Sequence, residues 1–220
     1  MKYILFDIDD TLFPSSEFST LARKNAINAM IGMGMLGDSG TLMARLAMII
    51  EKKGSNYGRH FDDLCRQAGV KEPARYTAAA IAAYHDTKTA IQPFPKVPLT
   101  LLRLKEAGYR LYVATNGNAV KQWDKLIRLR LALYFDAVFV SEEMGRSKSP
   151  AFYRKVLKTL GARADECMMV GDREDADISP AKKVGITTVR VLAGKHSGVP
   201  TQADHTVKDI SGLFRILEQL

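Results

Sequence analysis

Tyr3-Ile4-Leu5-Phe6 is a short apolar run near the start of the chain, and it ends directly in Asp7-Ile8-Asp9-Asp10-Thr11-Leu12. A run of that length makes one buried strand. Asp7 then sits at or just past the strand's carboxyl end, the edge where open α/β sheets bind ligands. Asp9, two residues on, faces the same side if the backbone stays extended. Carboxylates that close repel unless a cation, a proton or a donor offsets the charge, and a magnesium ion is the simplest offset. The competing reading is a strand end running into an Asp/Thr turn or helix cap.

The rest of the chain falls into two patterns. Between about residues 15 and 90 only helical periodicity is visible: roughly Ser16–Met35, Thr41–Lys53, Gly58–Gly69 and Pro73–Thr89, the last carrying the helix-favouring run Ala78-Ala79-Ala80-Ile81-Ala82-Ala83. A helical block that long is an insertion after the first strand, not a crossover. Gln92-Pro93-Phe94-Pro95 marks its exit. From there strands alternate with helices. The strands are Arg110–Ala114, Ala137–Val140, Cys167–Val170 and Thr187–Val191; the helices are about Val97–Ala107, Ala119–Leu133, Pro150–Leu160, Ile178–Val184 and Ile210–Leu220. Such alternation predicts an α/β fold, a doubly wound parallel sheet. The expected division is a Rossmann-like core of residues 1–14 and 93–220 and an all-helical cap domain of residues 15–92.

Composition removes other classes. The chain has 220 residues, 46% hydrophobic and 25% charged, which is an ordinary globular balance with ample material for a core. The net charge of +8 raises nucleic acid, an anionic membrane or an acidic substrate as partners. No basic block interleaved with aromatics supports nucleic acid. The densest run, Lys121, Lys125, Arg128 and Arg130, reads as the solvated face of a helix. No apolar stretch approaches a membrane span. Cys65 and Cys167 are far apart and form no metal or redox motif, and no signal peptide precedes the first strand, so a cytoplasmic setting is expected. Gly32-Met33-Gly34-Met35-Leu36-Gly37 formally fits G-x-G-x-x-G, but a helix precedes it where a dinucleotide site needs a strand. The four histidines show no metal-ligand spacing.

If the sheet is parallel, the polar residues that follow its strands share one edge. These are Asp7, Thr115, Ser141 and Asp172. Asp-Ile-Asp-Asp-Thr-Leu resembles the first motif of the haloacid dehalogenase (HAD) superfamily, mostly Mg2+-dependent phosphatases. Thr115-Asn116-Gly117 is similar to the second motif, Lys148 to the third, and Gly171-Asp172-Arg173-Glu174-Asp175-Ala176-Asp177 to the fourth. Alone, Thr115-Asn116-Gly117 is a turn, Lys148 a surface lysine and the last run an acidic turn. The stretches Lys53-Gly54-Ser55-Asn56-Tyr57, Tyr84-His85-Asp86-Thr87-Lys88 and Lys121-Gln122-Trp123-Asp124-Lys125-Leu126 extend the resemblance to a largely archaeal branch of subfamily I. Some members of that branch carry a glyceraldehyde-3-phosphate phosphatase label.

The resemblance implies roles. Asp7 is the nucleophile that forms an aspartyl-phosphate. Asp9 is the general acid and then the base, and its backbone carbonyl ligates Mg2+. Thr115, Asn116 and Gly117 hold phosphoryl oxygens, with glycine permitting close backbone approach. Lys148 neutralises the nucleophile and the phosphoryl group. Asp172 ligates Mg2+ directly; Asp177 acts through a water or holds Lys148; Asp175 has no family role. The chain departs from relatives at Lys148-Ser149-Pro150-Ala151, where they read Lys-Pro-x-Pro, and it is one residue short before Phe152. Arg146 is the fallback cation. In the cap, the loop Gly54-Ser55-Asn56-Tyr57-Gly58 reads either as a plain connection or as a substrate contact through Asn56 and Tyr57. The expected activity is hydrolysis of a small phosphorylated metabolite, as a monomer or homodimer and with Mg2+ as cofactor. The alternatives are a phosphomutase using the same nucleophile, or a catalytically idle HAD-fold binding protein. Asp9 separates this chain from 2-haloacid dehalogenases, which lack that aspartate because no leaving oxygen needs a proton.

Overall fold

The computed structural model describes residues 1–220. It divides into two compact units, Met1–Ser16 with Gln92–Leu220, and Glu17–Ile91. The first unit holds a six-stranded sheet in the order β3-β2-β1-β4-β5-β6, with every neighbouring pair parallel. Its strands are β1 (Tyr3–Phe6), β2 (Arg110–Thr115), β3 (Ala137–Val140), β4 (Cys167–Gly171), β5 (Thr187–Val191) and β6 (His205–Val207). β1 is central because its residues are apolar on both faces: Ile4, Leu5 and Phe6 are wholly buried. In register, Phe6 lies beside Val113 on one side and Val170 on the other. The carboxyl ends of β1, β2 and β4 therefore share one edge, β2 running two residues and β4 one residue beyond Phe6, at the point where the strand order reverses.

The helices run in chain order: α1 (Ser15–Gly32), α2 (Ser39–Lys53), α3 (His60–Gln67), α4 (Pro73–Thr89), α5 (Val97–Glu106), α6 (Ala119–Arg128), α7 (Ser141–Met144), α8 (Pro150–Leu160), α9 (Ser179–Lys182) and α10 (Leu213–Leu217). The second unit is helical throughout. Ala26, Ile27 and Met30 of α1, Leu42, Leu46 and Ile49 of α2, Leu64 and Cys65 of α3 and Ala80 of α4 form its buried centre. In the first unit, Leu5, Tyr112, Phe139 and Met169 of the sheet pack with Phe152, Tyr153 and Val156 of α8. No helix is long and apolar enough to cross a membrane.

Several elements differ from expectation: the helix expected over Ile178–Val184 is a π-turn at Glu174–Ile178 followed by α9, and the one expected over Ile210–Leu220 is a 3₁₀ turn at Ile210–Gly212 followed by α10. β6 is a strand that the sequence did not mark: three residues, with Thr206 exposed, offer no apolar run. The helix expected over Ala119–Leu133 stops at Arg128. Arg130 adopts φ +58°, which a right-handed helix cannot continue through, and a short 3₁₀ turn follows at Ala132–Tyr134. Ser141–Met144 is a single helical turn ended by Gly145 in the left-handed conformation, where no helix was expected.

Candidate active site

Asp7 leaves β1 as the strand ends; its N–H still donates to the Val170 carbonyl at 2.9 Å. The chain then turns sharply. Asp10 has φ +53°, a backbone state that aspartate tolerates better than most residues. Its carboxylate accepts from Ser16 N–H at 2.9 Å and from the Ser16 hydroxyl. Asp9, just before this turn, directs its carboxylate to α6. Both Asp9 carboxylate oxygens accept from Lys125 Nζ, at 2.7 and 2.6 Å.

Three other carboxylates converge. One oxygen each of Asp7, Asp172 and Asp177 lie within 4.8 Å of one another, and all three residues are buried. Asp172 follows β4, and Asp177 lies five residues further on. The spacing works because Glu174–Ile178 forms a π-turn: both Asp177 N–H and Ile178 N–H reach back to the Arg173 carbonyl, at 2.8 and 3.2 Å. Asp177 is thereby folded back over Gly171, and its Oδ2 accepts from Arg173 N–H at 3.0 Å. Gly171 is needed for space. A Cβ there would stand 2.6 Å from Asp177 Cβ and closer still to its carboxylate.

Lys148 is the cation among them. Its Nζ donates to Asp7 Oδ1 at 2.6 Å, to the Ala114 carbonyl at 3.3 Å and to Asp177 Oδ1. The departure after Lys148 has a local explanation. Ser149 caps α8, accepting from Phe152 N–H at 3.3 Å, and Pro150 occupies the first helical turn. Lys148 therefore passes straight into the helix and still points inward. Arg146 lies on the surface, with its N–H on the Ser141 carbonyl at 3.0 Å.

Electrostatics follow from this crowding. Burial pushes the Asp7 carboxyl up to about 7; Lys148 opposes the shift, while Asp177 and Asp9 add to it. Burial pushes Asp172 up to about 8, with Asp7, Asp177 and Asp10 adding to the effect. Burial alone would lower Lys148, but Asp177 and Asp7 outweigh it and hold the ammonium above its ordinary range. Three buried carboxylates against one lysine leave negative charge in excess. Their hard oxygen donors and that excess fit a divalent cation such as Mg2+.

The second loop is built from β2 and α6. Thr115 is buried at the end of β2. The Asn116 side chain accepts Lys148 N–H at 2.8 Å, and the Asn116 carbonyl accepts Gln122 Nε2 at 2.7 Å. Gly117, at φ +135°, donates its N–H to Ser141 Oγ at 2.9 Å. Asn116 and Gly117, expected at phosphate, thus also hold the Lys148 backbone and the α7 turn in place. Asn56 and Tyr57 lie in the other unit, between α2 and α3. There the Tyr57 ring meets His60 edge-on at 5.2 Å and Lys53 Nζ at 5.6 Å, and His60 Nε2 is 2.9 Å from the Gly54 carbonyl.

Sequence reasoning missed several contributors. Lys125 is not on a solvated basic face: its side chain is mostly buried and turned to Asp9. Arg190 on β5 is wholly buried, donating from Nε to the Asp172 carbonyl at 3.0 Å and from Nη1 to the Val199 carbonyl at 2.8 Å. An arginine flanked by two valines inside a strand was the available signal. Tyr153 of α8 donates its hydroxyl to the Ala176 carbonyl at 3.0 Å, bracing the π-turn from behind.

A strand-end aspartate paired with a buried lysine and two further aspartates, on a parallel sheet, defines a class of hydrolase. The family description of haloacid dehalogenase-like hydrolases matches residues 1–185, and the chain belongs to that family. It is 43% identical over 224 residues to a glyceraldehyde 3-phosphate phosphatase of Methanocaldococcus jannaschii, covering 100% of this chain and 98% of that one. It is 39% identical over 225 residues to the protein of the same name from Pyrococcus furiosus, covering 100% and 94%. With these relatives, the chain is a phosphomonoester hydrolase. Among solved structures, a HAD phosphatase from Thermococcus onnurineus matches with a TM-score of 0.70 at 24% identity, covering 99% of this chain and 98% of that one. A 2-haloacid dehalogenase from Pseudomonas syringae matches equally well in fold, at 0.70 and 23%, covering 100% and 99%. At such identities the likeness is one of fold.

Proposed function

We propose that this chain is a Mg2+-dependent phosphatase acting on a small phosphorylated metabolite through an aspartyl-phosphate on Asp7. The observation that carries this reading is the Lys148 ammonium held between Asp7 and Asp177 beside Asp172. Asp7 Oδ attacks phosphorus as the ester P–O bond breaks, and Asp9 gives its proton to the leaving oxygen. Water then attacks the phosphorus and gives a proton to Asp9, and the P–O bond to Asp7 breaks, releasing phosphate. Lys148 steadies the charge gathering on Asp7 and the phosphoryl oxygens, and Thr115 offers its hydroxyl to them. Asp7, Asp172 and the Asp9 carbonyl are the residues that would hold Mg2+, with Asp177 behind them. When bound, the ion neutralises the phosphoryl charge that three carboxylates would otherwise repel.

The helical unit Glu17–Ile91 serves in this reading as the cap that chooses the substrate, with Asn56 and Tyr57 as its contacts. Glyceraldehyde 3-phosphate is the first candidate, because two relatives spanning nearly the whole chain are named for it. The test is phosphate release from a panel of phosphorylated metabolites and an aryl phosphate, with Mg2+ and with chelator. Release that needs Mg2+ and vanishes in a folded Asp7→Asn variant supports the reading. Normal release by Asp7→Asn overturns it.

A further inference from the structure

The Asp9–Lys125 pair is the one contact at this edge that the proposed chemistry uses but does not explain. Asp9 stands two residues from Asp7 yet is kept out of the buried cluster, where a fourth carboxylate would meet three others. Lys125 grips both of its oxygens, at 2.7 and 2.6 Å. The same ammonium lies 5.9 Å from the centre of the Phe13 ring, a second hold on its direction. Lys125 stands on a firm base. Its helix, α6, is capped by Asn118, whose Nδ2 donates to both Glu142 oxygens at 2.7 and 3.0 Å, while Ala119 N–H donates to Glu142 Oε2 at 2.8 Å. Gln122, one turn before Lys125 on the same face, donates to the Asn116 carbonyl at 2.7 Å. One helix face therefore fixes both the Thr115-Asn116-Gly117 loop and the Asp9 carboxylate.

We propose that Lys125 is a positioning residue for the acid–base work of Asp9: its ammonium holds the carboxylate by both oxygens in the free chain, and keeps one of them when the other turns to the ester oxygen. This rests on the hydrolase reading above. On substrate binding one Asp9 oxygen leaves Lys125, takes a proton from solvent and turns to the ester; as the P–O bond breaks it gives that proton to the leaving alcohol, while the other oxygen keeps its hydrogen bond to Lys125. In the second step the same oxygen recovers a proton from the attacking water. Lys125 touches neither the substrate nor the phosphorus.

The test compares Lys125→Met and Lys125→Arg with the unaltered chain, all with saturating Mg2+, on p-nitrophenyl phosphate and on an alkyl phosphate. The alkyl leaving group needs a proton and the nitrophenolate does not. Lys125→Met is expected to lower kcat/KM on the alkyl ester by about tenfold, part of the roughly 10²–10⁴ that a positioned acid–base group contributes. The loss on the aryl ester is expected to be much smaller, and Lys125→Arg to recover part of it. In an Asp9→Asn background, Lys125→Met is expected to cost nothing further. A readout without turnover accompanies these: the Lys125 ammonium resonance in ¹⁵N-labelled protein is expected to be present in the unaltered chain and lost in Asp9→Asn. Equal losses on both esters, the same loss in the Asp9→Asn background, a rise in KM alone, or an ammonium signal indifferent to Asp9 would each overturn the inference. No phosphate release by the unaltered chain on either ester overturns the hydrolase reading and this inference with it.

Discussion

Lys148 reaches Asp7 across 141 positions of sequence: its Nζ lies 2.6 Å from Asp7 Oδ1, and both side chains are almost wholly buried. Removing the cation leaves Asp7 and Asp177 facing each other without an offset. Lys148→Met is expected to lower kcat/KM by about 10²–10³-fold and to destabilise the fold by roughly 3–5 kcal/mol at pH 8. At pH 5 the deficit is expected to shrink, because Asp7, pushed up to about 7, then carries a proton and needs no partner. Urea unfolding at the two pH values checks both statements. An equal deficit at both would disprove the electrostatic account.

Stability without metal is expected to fall as pH rises. Asp7 and Asp172 keep their protons in the folded chain up to about 7 and about 8, whereas the unfolded chain gives them up near 3.8. Between those limits the folded state binds more protons, so raising the pH favours unfolding. On the proposed reading Mg2+ replaces those protons, so its stabilising effect is expected to grow over the same interval. Thermal unfolding in chelator and in Mg2+, from about pH 5 to about pH 8, reads both trends; parallel curves would refute the link.

Gly171→Ala is expected to cost about 1–3 kcal/mol and to abolish turnover. The added methyl displaces the Asp177 side chain, and with it one partner of Lys148 and the acceptor for Arg173 N–H. Thermal unfolding and phosphate release measure the two effects. An active, equally stable Gly171→Ala chain would show that the π-turn can shift freely.

Arg190→Met is expected to lower stability by about 3 kcal/mol, because it strands carbonyls that a buried guanidinium satisfies. Those belong to Asp172 on one side and to His196, Val199 and Pro200 on the other. The Asp172 backbone loses its brace, so calorimetry is also expected to show weaker Mg2+ binding. Arg190→Lys is expected to rescue little, since an ammonium lacks the planar fork. Unchanged Mg2+ affinity would confine Arg190 to the loop behind the site.

The sequence made β1, β2, β3 and β4 visible through apolar runs that end in polar residues, β5 through its β-branched residues, and Asp7, Asp172, Asp177 and Lys148 through motif spacing. What it hid had physical reasons. β6 is three residues long and two of them are polar, so it leaves no pattern. Lys125 sits among Lys121, Arg128 and Arg130, and only the fold shows that it turns inward to a carboxylate 116 positions away while Arg128 pairs outward with Asp124 at 2.8 Å. The sharp turn at Asp10, just past Asp7 and Asp9, is a single backbone state, φ +53°, which no alternation rule encodes.

Phe94 N–H donates to the Leu12 carbonyl at 2.9 Å, stitching the returning chain to the turn past β1 from which it left. The two ends of the long excursion are thus neighbours before any of it is built. A loop closed at its neck costs little more entropy as it lengthens. The intervening segment is therefore free to lengthen, shorten or be exchanged while the carboxylates at the sheet edge keep their places. On the proposed reading, in which that segment chooses the substrate, substrate preference and bond-breaking machinery drift independently within one polypeptide.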